Sequence, residues 1–80
     1  IYNIGGGTEL TNRELTSLLL EATGCDQDRI RPVADRLGHD RRYSVDITKI
    51  SRELGYEPQV RFERGLADTV EWYRTRRDWW

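Results

Sequence analysis

The sequence is short of the residues that usually build metal sites, disulfides and membrane segments. Its one cysteine, Cys25, excludes an internal disulfide and has no partners at metal-ligand spacing. A single histidine, His39, argues against a zinc site, which draws on several such ligands. No apolar run approaches the roughly 20 residues that span a bilayer, and no signal-peptide pattern is present. We therefore expect a cytoplasmic chain that binds neither metal nor membrane.

Lysine is almost absent as well. Lys49 is the only one, so nearly all of the positive charge is carried by arginine. The formal net charge is -1, which excludes the global positive field typical of proteins that bind nucleic acid. Arginine still permits local anion binding, because its planar guanidinium matches phosphate and carboxylate oxygens in pairs.

The chain has no methionine and opens on the apolar run IYNI followed by three glycines. This opening favours a strand that is entered in the middle of a fold, and we expect a piece of a longer protein. Eighty residues form one domain at most, and a chain of this length buries too little surface to be more than marginally stable alone.

Two short strands are predicted, over residues 1–4 and around residues 30–33, with Pro32 restricting the second to a sheet edge or a strand end. Three helices are predicted by apolar residues at helical spacing. The expected fold class is therefore α/β, with two short strands and three helices, and it is not a complete Rossmann domain.

The helix boundaries come from capping signals. Thr11 followed by Glu14 is a capping box, which predicts a first helix from Asn12 that ends at Gly24. Two further helices are predicted, one between an Asp46 N-cap and a Gly55 C′ residue and one starting near Phe62.

The segment DRLGHDRRY, residues 35–43, is the best candidate site in the sequence. Arg36 and His39 lie three residues apart with Gly38 between them, so that two donors can converge on one anion, although composition alone favours a solvated charged loop. Asn12 lies in a first helical turn, where backbone N–H groups favour anions. Arg41 and Arg42 are assigned to structure or solvent.

Motifs for catalysis and cofactor binding are missing. The glycine run lacks both GxGxxG and GK[ST], which are the phosphate-binding patterns of dinucleotide and nucleotide folds. Tyr43 and Lys49 are six residues apart instead of the four of a YxxxK pair. The sequence therefore predicts no catalytic, cofactor-binding or metal-binding residue within these 80 positions.

Four segments together carry a family resemblance: YNIGGGTELTNREL, DRLGHDRRYSVD, KISRELGYEP and FERGLADTVEWY. They resemble the C-terminal part of the dTDP-glucose 4,6-dehydratases, enzymes of the extended short-chain dehydrogenase/reductase family. The resemblance implies a homodimeric parent enzyme whose N-terminal Rossmann domain, absent from this chain, holds NAD and the catalytic residues. It implies that residues 1–80 are the smaller region that binds the dTDP-sugar.

The resemblance also assigns the site residues. Asn12 matches an asparagine that contacts the nucleotide-sugar, and the run Asp35, Arg36, Leu37, Gly38 and His39 matches the family's substrate-binding run. One position departs from the family pattern, since Leu37 stands where the family usually has proline.

Two alternatives stay open. One is another NAD-dependent nucleotide-sugar enzyme of the same family, such as an epimerase or a decarboxylase, against which GHDRRY argues. The other is a stand-alone module that binds an anion or a protein and has no enzymatic parent.

Overall fold

Three α-helices joined by irregular segments make up the computed structural model, which describes residues 1–79. Helix α1 spans Asn12–Thr23, α2 spans Thr48–Leu54 and α3 spans Phe62–Thr75. Two single 3₁₀ turns follow α1 and α3, at Gln27–Arg29 and Arg77–Trp79. No helix in this part of the chain is long and apolar enough to cross a membrane.

The ends of α1 follow the predicted signals. The Thr11 hydroxyl accepts a hydrogen bond from the Glu14 N–H at 3.2 Å, and the Glu14 carboxylate accepts one from the Thr11 N–H at 2.7 Å. Gly24 ends the helix in the left-handed region, with φ 68°. Both capping predictions are confirmed, and they fix Asn12 as the first residue of the helix.

The boundaries of the other two helices also agree with the sequence. Gly55 follows α2 with φ 65°, and α3 begins at Phe62. The Asp46 carboxylate accepts a hydrogen bond from the Thr48 N–H at 2.8 Å, although Ile47 occupies the N-cap position itself. Asp46 therefore caps α2 from one residue further out than predicted.

The predicted α/β class with two short strands is wrong, because no strand is present in residues 1–79. A strand forms only when its backbone groups find a ladder partner, and residues 1–4 and 30–33 do not pair with each other. The Ile1 carbonyl instead accepts a hydrogen bond from Lys49 Nζ, and Pro32 has no N–H to donate. The described chain supplies no partner strand for either apolar segment.

Helices α1 and α3 pack against each other and carry most of the shared apolar surface. Leu15 and Leu18 of α1 and Leu66 and Val70 of α3 are half-buried. Arg74 of α3 donates a hydrogen bond to the Ala22 carbonyl at 2.9 Å. This contact satisfies one of the free carbonyls in the last turn of α1 and places a positive charge at the negative end of its dipole.

The N-terminal segment crosses α2 and the residues after it. The ammonium of Lys49 lies 4.9 Å from the centre of the Tyr2 ring and donates to the Ile1 carbonyl at 3.1 Å. The Tyr56 hydroxyl donates to the Gly5 carbonyl, also at 3.1 Å. These long-range contacts hold residues 1–5 against α2 and against Tyr56, which follows it.

Little of the surface is buried. Ile50 is the only buried hydrophobic residue in the part of the chain that the structure describes. The accessible surface is 7778 Å², whereas a compact monomer of 9.5 kDa exposes about 5000 Å². The helices therefore form without a core of their own, and their apolar faces remain partly open.

We expect the isolated 80-residue chain to be marginally stable or to self-associate, because these open apolar faces gain from being covered. Sedimentation velocity combined with thermal melting followed by circular dichroism tests this. A tight monomer with a cooperative unfolding transition at high temperature would contradict the prediction.

Gly5 lies where two segments approach each other closely. A Cβ atom at this position would be 2.8 Å from Val45 Cγ2 and 3.4 Å from Ile47 Cγ2. Gly6 differs, since nothing would lie within 4 Å of its Cβ. The first glycine of the run is therefore required by packing, and its neighbour is not.

Gly5→Ala is expected to lower the free energy of unfolding of the complete protein by about 1 kcal/mol, because the added methyl group overpacks this contact. Gly6→Ala is the matched control and should change it by much less. Urea unfolding of both variants measures the difference, and Val45→Ala should restore stability to the Gly5→Ala protein. Equal stabilities of the two glycine variants would contradict the prediction, because the Val45 side chain would then move aside without loss of stability.

Candidate functional site

A cavity of about 450 Å³ lies between the start of α1 and the second half of the 35–43 loop. Its walls come from two segments that are far apart in sequence. They are Glu9, Leu10, Thr11, Asn12 and Glu14 on one side and His39, Asp40, Arg41, Arg42 and Tyr43 on the other. The site is therefore created by the fold and not by one continuous motif.

The helix side of the cavity presents the capped N-terminus of α1. Asn12 is the first helical residue. Just before it, the Thr11 hydroxyl donates a hydrogen bond to Glu14 Oε2 at 2.7 Å. Hydrogen bonds from the Thr11 N–H and then from its hydroxyl lower the pKa of Glu14, so this carboxylate is held in the cap. The side chain of Asn12 makes no hydrogen bond within residues 1–79 and is available to a ligand.

The loop side begins with a tight turn. The His39 N–H donates to the Arg36 carbonyl at 3.3 Å, and Gly38 has φ 70°. Leu37 has a negative φ, because no residue other than glycine has a positive one in the described chain. These features define a type II turn with Leu37 and Gly38 at its two central positions. The turn aims the His39 ring back toward the cavity.

Asp35 orients the histidine. Its Oδ1 lies 3.0 Å from His39 Nδ1 and also accepts the Arg36 N–H at 2.8 Å. The hydrogen bond with His39, followed by the one from Arg36, lowers the pKa of the Asp35 carboxyl. A negative carboxylate on Nδ1 leaves Nε2 as the ring atom that can meet a ligand.

The two walls are joined by an ion pair between Glu9 and Arg42. Arg42 Nε contacts Glu9 Oε1, and Arg42 Nη2 donates to Glu9 Oε2 at 2.8 Å. The Ser44 hydroxyl adds a longer hydrogen bond to the same carboxylate, at 3.3 Å. The hydrogen bond from Arg42 lowers the pKa of Glu9, so this carboxylate keeps its charge to a lower pH than an unpaired glutamate does.

Tyr43 and Asp40 form a contact inside the loop. The Tyr43 hydroxyl donates to Asp40 Oδ2, which raises the pKa of the phenol. Arg41 lies between Asp40 and Arg42 in sequence, and its guanidinium has no partner in residues 1–79. Arg41 is thus the cavity-lining cation that is free to meet an anion.

Two of the six residues predicted to bind the substrate, Asn12 and His39, line the same cavity. Asp35 acts through His39, whereas Arg36, Leu37 and Gly38 lie on the turn outside the cavity wall. Glu9 was missed, because its partner is 33 residues away and no local pattern marks such a pair. Arg41 and Arg42 belong to the 35–43 loop, but from the sequence alone they were assigned to structure or solvent.

No group of three or more histidine, cysteine, aspartate or glutamate side chains that could hold a metal ion occurs in residues 1–79. The cavity therefore offers neutral and cationic donors from Asn12, His39 and Arg41, with the carboxylates engaged by neighbouring groups. This donor set suits an anionic ligand with several oxygen acceptors.

The family model described as GDP-mannose 4,6 dehydratase matches residues 1–69. The chain belongs to the GDP-mannose 4,6 dehydratase family. Within it, the chain is 59% identical over all 80 residues to a dTDP-glucose 4,6-dehydratase of Streptomyces antibioticus and 60% identical to one of an Actinoplanes species. The resemblance seen in the sequence is confirmed.

Solved structures in the GDP-mannose 4,6 dehydratase family agree. The dTDP-glucose 4,6-dehydratase DesIV of Streptomyces venezuelae, with NAD and TYD bound, matches the whole chain with a TM-score of 0.95 and 65% identity. The enzyme of Bacillus anthracis, in complex with NAD, matches with a TM-score of 0.91 and 42% identity. The chain spans 24% to 25% of the length of these relatives.

His39→Ala is expected to raise the pKa of Asp35 toward that of a free aspartate, because the largest stabilising contact of its carboxylate is removed. The wild-type contact stabilises the loop above the ordinary aspartate pKa of about 4 and is lost as pH falls through the lower, folded value. Carboxyl ¹³C shifts measured against pH follow the titration, with the Arg36 N–H expected to retain part of the effect. An unchanged Asp35 titration would disprove the pairing.

Proposed function

We propose that residues 1–80 are the C-terminal nucleotide-sugar-binding region of an NAD-dependent dTDP-glucose 4,6-dehydratase. The parent enzyme converts dTDP-glucose to dTDP-4-keto-6-deoxyglucose, and it is a homodimer with a separate Rossmann domain. The observation that carries the proposal is the match of the whole chain to DesIV, at 65% identity and a TM-score of 0.95.

The cavity supports a binding role for this region. A nucleoside diphosphate has several negative oxygens, and the cavity combines the N-terminus of a twelve-residue helix with Asn12, His39 and the free cation Arg41. In the proposed complex Asn12 and His39 donate to the ligand, and Asp35 holds His39 in the required orientation. Leu37 and Gly38 form the turn that joins Arg36 to His39.

The Arg36 side chain has to move before it can contact a diphosphate in the cavity. Its backbone is fixed by the turn, but its guanidinium has no partner within residues 1–79. The side chain can therefore swing from the turn toward a bound diphosphate without breaking another contact.

NAD does not fit the residues of this chain. The glycine run ends five residues before α1, and no strand leads into it within residues 1–79. Gly6 and Gly7 face open space and not a cradle that a side chain would fill. In the proposal, cofactor binding and the chemical steps therefore belong to the Rossmann domain, and this region contributes substrate binding.

In the complete enzyme, Arg36→Ala is expected to raise KM for dTDP-glucose roughly 10- to 150-fold, because a charge-assisted hydrogen bond is lost. Loss of uniform binding leaves kcat much less changed. Arg36→Lys should recover only part of the loss, since an ammonium keeps the charge without the planar fork.

Arg52→Ala is the matched control. Arg52 is an exposed arginine on α2 whose only hydrogen bond or ion pair from its side chain within residues 1–79 is with the neighbouring Glu53, at 3.2 Å. The KM of the Arg52→Ala enzyme for dTDP-glucose should stay within about twofold of the wild-type value. An unchanged KM in a folded Arg36→Ala enzyme would remove Arg36 from the proposed site.

The family description points to a second candidate substrate, GDP-mannose. Turnover of the complete enzyme with dTDP-glucose, GDP-mannose and UDP-glucose in parallel separates the candidates. Preference for GDP-mannose would replace the proposed substrate while keeping the nucleotide-sugar site.

A further inference from the structure

Within residues 1–79, Glu9 is the only residue outside the 35–43 loop that forms a hydrogen bond or an ion pair with it. All other hydrogen bonds and ion pairs of the loop in residues 1–79 stay within it, between Asp35, Arg36 and His39 and between Asp40 and Tyr43. The carboxylate of Glu9 crosses to Arg42 with both oxygens and also receives the Ser44 hydroxyl. Glu9 is therefore the polar link that holds the loop beside the segment leading into α1.

The same carboxylate lines the cavity that we assign to an anionic ligand. Taken alone, a negative charge there repels a diphosphate and weakens binding. The geometry argues against that reading, because both Glu9 oxygens are engaged by Arg42 Nε and Nη2. The charge is compensated locally, and Arg41, one residue earlier, lines the cavity without a partner in residues 1–79.

We infer that Glu9 is a positioning residue for nucleotide-sugar binding, which acts by holding Arg42 and so fixing the loop opposite the N-terminus of α1. This inference rests on the proposed function. It adds Glu9 to the proposed site and predicts the direction in which its removal changes ligand affinity. If Glu9 merely sat near the ligand, removing its charge would tighten binding of an anion. If it holds the loop, removing it weakens binding of the same anion.

The test uses the complete enzyme with dTDP as the probe. Glu9→Ala is expected to raise the Kd of dTDP about tenfold, because small displacements of binding groups have large effects. KM for dTDP-glucose should rise in parallel while kcat stays within about twofold. Glu9→Gln keeps the size and one acceptor oxygen, so its Kd should fall between those of Glu9→Ala and wild type.

A double-mutant cycle assigns the effect to the pair. The double variant Glu9→Ala with Arg42→Ala should bind dTDP within about twofold of either single variant, because each removes the same connection. Multiplied effects of the two substitutions would instead make Arg42 an independent ligand and would overturn the inference.

The matched control is Asp68→Ala. Arg64 Nε contacts both oxygens of Asp68 on α3, at 2.9 and 2.8 Å, in an exposed pair away from the cavity. Loss of that carboxylate changes the net charge equally and should leave the Kd of dTDP unchanged. A matching rise in Kd for Asp68→Ala would reduce the Glu9 effect to general charge and would overturn the inference.

The remaining outcomes are also decisive. Tighter or unchanged dTDP binding by a folded Glu9→Ala or Glu9→Gln enzyme contradicts the positioning role while the proposed function stands. Unfolding of Glu9→Gln, seen as a lost thermal transition, also overturns it, because the pair would then support the whole fold. If the wild-type enzyme does not bind dTDP, the proposed function fails and the inference fails with it.

Discussion

The packing of α1 on α3 is the contact on which the remaining structure depends. It fixes the direction of α1, and hence the place where the capped N-terminus of that helix points. Arg74 secures the other end by bonding the Ala22 carbonyl. The loop and the N-terminal segment are then arranged around a helix whose two ends are both satisfied, so the cavity has one rigid wall and one wall made of loop.

Local signals in the sequence predicted the helices well. The Thr11–Glu14 capping box, Gly24 and Gly55 act within a few residues, so their effect can be read without knowing the fold. The strands failed for the opposite reason. The apolar residues of 1–4 and 30–33 led to a prediction of strands, but a strand exists only with a partner, and none lies in residues 1–79.

In the candidate site too, residues marked by local sequence signals were predicted, and residues paired over a long sequence distance were not. Asn12 and His39 were found through a helix start and a family motif, both of which are continuous in sequence. The pair between Glu9 and Arg42 joins positions 33 residues apart. Its members read separately as a surface acid and one of several loop arginines, so only the three-dimensional structure reveals that they act together. The chain also covers about a quarter of its relatives, which explains how a family membership can be clear while a core is lacking.

Leu37 occupies the first central position of the turn between Arg36 and His39, where proline presets the backbone angle φ of a type II turn. Its side chain is fully exposed and contributes no packing that would compensate. The free loop therefore samples more conformations than a loop with proline would, and binding at the proposed nucleotide-sugar site would cost more conformational entropy. At that proposed site, affinity therefore depends on the conformational freedom of the unbound turn as well as on the contacts assigned to Arg36 and His39.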